Sequence, residues 1–311
     1  MSYYQTLAEK FPVRKTAGQK AAFRAWAVQE AAKCGYKAQV ESSGRLYKHN
    51  NVIIGNPDRA AIVYSAHYDI PARHLLPSLT IPRNIPVFYA WQLLIVLLLV
   101  AATLVITMLG GLVVKQPGAV LWIFVFSYLA LLLLSSWGPA NKNNANNNTS
   151  GLATVLETMA AIPAEQRNKV AFILFDDSEK GKQGAGCYAK EHVQVQCMKT
   201  VVNLDCVGVG QDFLVLSKKL ARMRPEYARL CTALGKTEEG NPRQVFVLEK
   251  GLNAYTADYD CFQCGVAIMA CKRTTGVGWY IPNLNTARDT QCDEGNIAFL
   301  VDRFVTLTQY L

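Results

Sequence analysis

KVAFILFDDSE, residues 169–179, reads as a buried strand that delivers polar chemistry at its end. Val170 to Phe175 runs without a polar interruption, which suits a strand covered on both faces, as strands of parallel sheets are. The acidic run Asp176, Asp177, Glu179 follows at once, with Ser178 inside it. The same pattern occurs upstream in AAIVYSAHYD, residues 60–69, where an apolar run ends in His67 and Asp69. A third, shorter copy is VVNLD, residues 201–205, ending in Asp205. Apolar strands alternating with helical stretches argue for an α/β fold: a mixed, mainly parallel sheet sandwiched by helices. In such sheets polar sites gather at the carboxyl ends of the strands, where His67, Glu179 and Asp205 all fall.

Between the first and second of these strands lies a segment of another kind. Residues 84–141 hold two charge-free apolar runs, 85–114 and 116–137, interrupted only around Lys115, Gln116 and Pro117. Each exceeds the roughly 20 residues that cross a ~30 Å hydrocarbon layer. They predict a transmembrane hairpin, with spans near 85–110 and 117–137. Residues 1–83 and 142–311 then read as the two parts of one soluble domain that the hairpin interrupts. The first residues, MSYYQTLAEKFPVRK, lack the apolar core of a signal peptide. With Arg73, Arg83 and Lys142 flanking the spans, this predicts an integral membrane protein whose soluble domain and both termini are cytoplasmic.

The remaining residues punctuate as expected for such a fold. Residues 16–35 predict an amphipathic helix stopped by Gly35, and 36–41 with 51–54 predict two short strands around a turn at 42–44. Helices are expected over 151–162, capped by Thr149 or Ser150, and over 184–192, 220–234 and 294–311. Strands are expected over 213–216, 244–248 and 266–271.

Composition excludes some functions. The chain has 311 residues and a formal net charge of +9. It has no Lys- or Arg-rich block and no nucleic-acid motif, so the charge predicts no nucleic-acid partner. It fits either an ordinary basic surface or a domain held beside an anionic leaflet. Nine cysteines, an odd number without framework spacing, fit reduced thiols in a cytosolic compartment. Cys261 and Cys264 form a CxxC with no second pair at zinc-ribbon spacing.

The motifs AHYD, NNNTSGLATVLE, VAFILFDDSEKGKQGA, NLDCVG, a DxxxFxxG segment at Asp258, Phe262 and Gly265, and NTARDT occur in that order between about residues 59 and 290. Together they resemble metallopeptidase family twenty-eight, the di-zinc aminopeptidases with glutamate carboxypeptidase-like relatives. The resemblance implies five metal ligands, an orienting Asp and a general base, and it carries over position by position. His67 matches the first ligand and Asp69 the Asp that orients it. Glu179 and Asp205 match two further ligands. The metal-bridging Asp is Asn147 here, the general-base Glu is Ser178, and the last His ligand is Asn285.

These three replacements have distinct consequences. Asn147 lacks the charge that lets two divalent cations sit about 3.5–4 Å apart. Asn285 removes an imidazole, so Glu179 is the second position's sole charged ligand. Ser178 does not take a proton from water near neutral pH, and losing a general base typically costs about 10²–10⁴ in rate. The first position keeps His67 and Asp205, so the resemblance implies either one divalent metal, zinc, at that pair or none. The expected function is a membrane-anchored, catalytically impaired pseudopeptidase that acts as a binding or scaffold module for a peptide or protein ligand. The alternative is an active membrane-tethered metallo-aminopeptidase that removes N-terminal residues with one or two metals. Asp177, next to the base position, is the acidic residue available to stand in for the base. The sequence carries no signal for oligomeric state.

Overall fold

A computed structural model of the chain describes all residues except 75–78, 236–239 and 250–252, with the backbone alone described for 135–137. The elements follow in chain order. Helices α1 (Tyr3–Lys10) and α2 (Ala17–Lys33) precede strands β1 (Ala38–Ser43), β2 (His49–Ile54), β3 (Ile62–His67) and the two-residue β4 (Leu79–Thr80). The long helices α3 (Ile85–Val113) and α4 (Pro117–Trp137) come next. After them run α5 (Gly151–Ala161), β5 (Val170–Phe175), α6 (Gln183–Glu191), α7 (Val193–Met198), β6 (Thr200–Leu204) and β7 (Asp212–Ser217). The chain closes with α8 (Pro225–Leu234), β8 (Gln244–Leu248), β9 (Gly265–Thr274), β10 (Gly278–Pro282) and α9 (Glu294–Gln309).

The strands join one mixed sheet in the order β1-β2-β5-β3-β6-β9-β10-β4, with β7 pairing both β9 and β8. Its centre, β5-β3-β6-β9, is parallel, and antiparallel strands flank it. The parallel centre explains the uninterrupted apolar runs: every residue of β3, β5 and β6 is buried. Helices cover both faces. One core joins α1, α2, α5, α8 and α9 to one face, through Phe23, Leu156, Leu230 and Phe304 packed against Tyr64, Phe172 and Val202. A smaller core places α6 and α7 on the other face, through Ala185, Tyr188 and Val195 against Val63, Ile173 and Phe175.

Sequence and structure differ in several places, each with a local cause. The expected helix over 220–234 is broken, because Arg224 is extended ahead of Pro225 and leaves a single turn at Ala221–Met223. Strand β1 runs on to Ser43, so the turn falls at 44–48 rather than at 42–44. Neither Thr149 nor Ser150 caps α5; the Asn148 side-chain oxygen accepts the Gly151 N–H instead (3.2 Å). Helices α1 and α7 and strands β4 and β10 are too short to show a period in the sequence.

Helices α3 and α4 lie against each other and are otherwise nearly bare. They are long and apolar enough to cross a membrane, with 11 % and 0 % of their apolar cores buried within the chain. Gly110 lets Ile123 approach closely: a Cβ added at Gly110 would meet the Ile123 side chain at 2.9 Å.

Candidate functional site

Three strand ends deliver the candidate residues. His67 is the last residue of β3, Asp205 follows the last residue of β6, and Glu179 comes four residues after β5. Strand β3 lies between β5 and β6, with His67 opposite Phe175 and Ser65 opposite Asn203. Carried two residues further, that register sets Asp205 level with His67. The His67 Nε2 atom is 3.8 Å from Asp205 Oδ1.

Asp69 does two jobs. Its backbone oxygen and Oδ1 lie 3.0 and 3.3 Å from His67 Nδ1, which orients the ring. Its carboxylate also accepts the backbone N–H groups of Ser178 (3.0 Å) and Glu179 (3.1 Å). The turn that carries the base and ligand positions is thereby clamped to the end of β3. Burial alone would push the His67 imidazole down, but the bonds and charges of Asp205 and Asp69 outweigh it and raise it well above its ordinary range. Burial would likewise raise Asp205, but His67, with the Tyr255 hydroxyl and the Cys206 thiol, holds it below the usual carboxylate range.

Asn147 and Asn285, two of the three positions the resemblance reads as replaced, come together with Glu179 in one hydrogen-bonded cluster. The Asn147 side-chain amide donates to Glu179 Oε1 (2.9 Å) and to Asn285 Oδ1 (2.5 Å). Turning that amide over would set its oxygen against the Glu179 carboxylate, so the network fixes the NH₂ inward. Asp289 holds the loop behind it, accepting the backbone N–H groups of Asn146 (2.8 Å) and Asn147 (3.0 Å). Asn285 sits in the left-handed region at φ 62°, which Asn tolerates better than most residues. Its carbonyl accepts the His74 N–H (2.6 Å).

Ser178, which the resemblance matches to the base position, donates to Asp258 Oδ1 (2.9 Å). Burial pushes the Asp258 carboxyl up to about 7, against the opposing effects of His67 and Ser178. Surrounding protein also pushes Glu179 up to about 7, with Asp69 and Asp205 adding to it, although its side chain is open to solvent, which screens part of that effect. Asp177 is turned out of the cleft. It pairs with Lys20 (2.5 Å), His49 (2.9 Å) and Lys180 (2.9 Å), so it does not serve as a substitute base.

Two supporting residues, Arg14 and Lys20, lie outside the motifs that the sequence offers. Arg14 is fully buried and donates to the carbonyls of Tyr68 (2.6 Å) and Phe11 (2.6 Å) and to the side chains of Asn144 (3.3 Å) and Thr149 (3.0 Å). It ties the amino-terminal segment to the loop before Asn147. Lys20 bonds both Asp176 (2.6 Å) and Asp177. It stands on the same buried stripe of α2 as Phe23, Ala27 and Ala31, a placement the helical spacing does show.

Among the described residues, no group of three or more His, Cys, Asp or Glu side chains is disposed to hold a metal ion. The donor set agrees. Where a bridging oxygen would be needed, Asn147 presents N–H groups, and those already satisfy Glu179 and Asn285. The residues do not fit a two-metal centre.

Residues 134–271 match the model of Peptidase family M28. No curated protein matches the sequence. Among solved structures, glutaminyl cyclase from Porphyromonas gingivalis is similar over 99 % of this chain and 97 % of its own, at 13 % identity and a TM-score of 0.60. A Zn-dependent exopeptidase from Parabacteroides distasonis is similar over 98 % and 95 %, at 14 % identity and a TM-score of 0.59. The LapA aminopeptidase of Legionella pneumophila is similar over 98 % of this chain and 68 % of its own, at 12 % identity and a TM-score of 0.54. At these identities the likeness is one of fold. Residues 134–271 are thus similar to Peptidase family M28, and the fold is similar to that of a Zn-dependent exopeptidase.

Proposed function

We propose that this protein is a membrane-anchored member of the zinc-exopeptidase fold whose cleft binds a peptide or protein ligand and no longer hydrolyses it. The observation that carries the reading is the Asn147 amide, which bonds Glu179 and Asn285 at once. A neutral donor ties together two positions that a cation joins in the family pattern. The base position supports the same reading, since the Ser178 hydroxyl is a donor to Asp258 and does not abstract protons from water. The cleft still offers ligand groups: Glu179 is exposed and Asn285 and Ser178 are half-buried, over a floor of His67 and Asp205. Helices α3 and α4 serve as the anchor, spanning the bilayer as a hairpin with the sheet domain in the cytoplasm.

One observation favours a second reading. His67 and Asp205 remain within 3.8 Å of each other, so a single zinc ion held there, with peptidase activity, is the alternative. One comparison separates the two. The full chain in detergent is assayed on aminoacyl and dipeptide substrates with zinc, manganese or cobalt, beside the triple variant Asn147→Asp, Ser178→Glu, Asn285→His. Metal content is measured on both. The proposal expects no chelator-sensitive cleavage by the parent and a gain of both metal and cleavage in the variant. Chelator-sensitive cleavage by the parent overturns it.

A further inference from the structure

The two legs of the α3–α4 hairpin leave the sheet domain through a rim that exposes Arg73, Lys142, Lys272, Arg273 and Arg288. At the first leg, Asn84 caps α3 and donates through its side-chain amide to the carbonyls of Gly276 (3.1 Å) and Val277 (3.2 Å). This pins the turn between β9 and β10 to the residue that caps the apolar helix. Lys272 and Arg273, both exposed, stand at that turn, paired across the strands with Tyr280 and Trp279. The Arg273 guanidinium lies over the rings of Trp279 (5.2 Å) and Phe246 (6.0 Å). Beside it, Asp212 accepts the Trp279 indole N–H (2.8 Å). Trp is a residue that favours the headgroup level.

At the second leg, the Gly138 carbonyl accepts Lys15 Nζ (2.8 Å), the Pro139 carbonyl accepts the Arg73 N–H (2.8 Å), and Ala140 bridges Ala72. Asn141 and Asn143 donate to the carbonyls of Thr286 (3.0 Å) and Ala287 (2.6 Å). Arg73, Lys142 and Arg288 are exposed around this leg. Across residues 70–74, 79–84, 138–144, 272–278 and 283–289 the sole carboxylate is Asp289, which is buried at 3 % exposure and engaged by two backbone N–H groups.

We propose that this rim binds the headgroups of anionic phospholipids in the bilayer that holds α3 and α4. The inference rests on the membrane reading above. The complementarity is one of sign and of place: the cations stand on segments that are hydrogen-bonded to the chain where it enters the apolar layer, within reach of a surface whose pull fades over about 10 Å. Because residues 283–289 also carry Asn285, lipid held at the rim lies beside the mouth of the cleft.

The test places the full chain in nanodiscs of phosphatidylcholine alone or with phosphatidylglycerol, and reads backbone hydrogen exchange at 272–278 and 283–289. Exchange at both segments is expected to be slower by about threefold or more in the anionic discs, an effect that 0.5 M salt largely removes. The variant Lys142→Gln, Lys272→Gln, Arg288→Gln is expected to lose the difference, while Lys33→Gln, Lys190→Gln, outside the rim, keeps it. Equal exchange of the inserted protein in the two discs overturns the lipid proposal and leaves the membrane reading intact. Protein recovered outside the discs overturns both.

Discussion

Asn147 decides what this cleft can be. A carboxylate at that position would set a second negative charge against ionised Glu179 where a hydrogen bond stands now. Asn147→Asp alone is therefore expected to destabilise the protein by about 1–3 kcal/mol in chelator above neutral pH, because the Glu179 acceptor loses its donor. Added zinc or manganese is expected to restore part of that loss, which urea denaturation with and without metal measures. Arg14 is the opposite case, a residue that touches no ligand position yet holds the loop in place. Arg14→Met strands acceptors at Tyr68, Phe11, Asn144 and Thr149, and is expected to cost about 3 kcal/mol by the same measurement. The site was partly legible in the sequence for a simple reason. His67, Glu179 and Asp205 fall at strand ends, and strand ends are predictable. Arg14 is a lone cation in a short irregular segment, and its burial is decided by a loop that lies more than 120 residues away in the chain.

Elements hold these residues through contacts that tolerate little change. Lys20 on α2 neutralises Asp176 and Asp177 at the end of β5, and all three are buried. Lys20→Met takes the cation from buried Asp176 and one of three partners from Asp177, and is expected to cost about 3–5 kcal/mol. Gly184, in the first turn of α6, is equally constrained. A Cβ there would meet the Asp176 carbonyl at 2.1 Å and the Asn51 side chain at 2.7 Å. Gly184→Ala is expected to lower the urea midpoint by pushing α6 off the end of β5, and a neutral result would show that the turn gives way. Long elements with a clear period were legible: the buried strands of the parallel centre, α2, α9 and the two apolar helices. The breaks were not. Pro225 splits a stretch whose apolar spacing reads as one helix, and β10 has a half-buried pattern that its five residues cannot make periodic.

At the scale of the whole molecule, the sheet and the hairpin are separable in packing and, among the described residues, meet at the rim. Replacing residues 85–137 with a flexible Gly/Ser linker of about ten residues is expected to leave the fold intact and move the protein from the membrane pellet to the supernatant. Ultracentrifugation with circular dichroism checks both; a variant that stays in the pellet while folded would assign membrane attachment to some other surface. That the sheet draws β1 to β4 from before the hairpin and β5 to β10 from after it is visible in the motif order, since the chemistry-bearing strand ends stand on both sides of it.

The place of β3, between β5 and β6, has a consequence for how the protein is made. During synthesis β3 leaves the ribosome about a hundred residues ahead of either neighbour. At about 5–20 residues per second it waits roughly 5–20 s for a partner. In that interval both apolar helices emerge, and under the membrane anchoring proposed above they enter the bilayer. On that proposal the sheet closes only after the chain is tethered, with its nascent edges held at the membrane surface and away from other chains. Ribosome-bound chains stopped before residue 170 are expected to show β3 open to protease, and chains that have released residue 204 to show it protected.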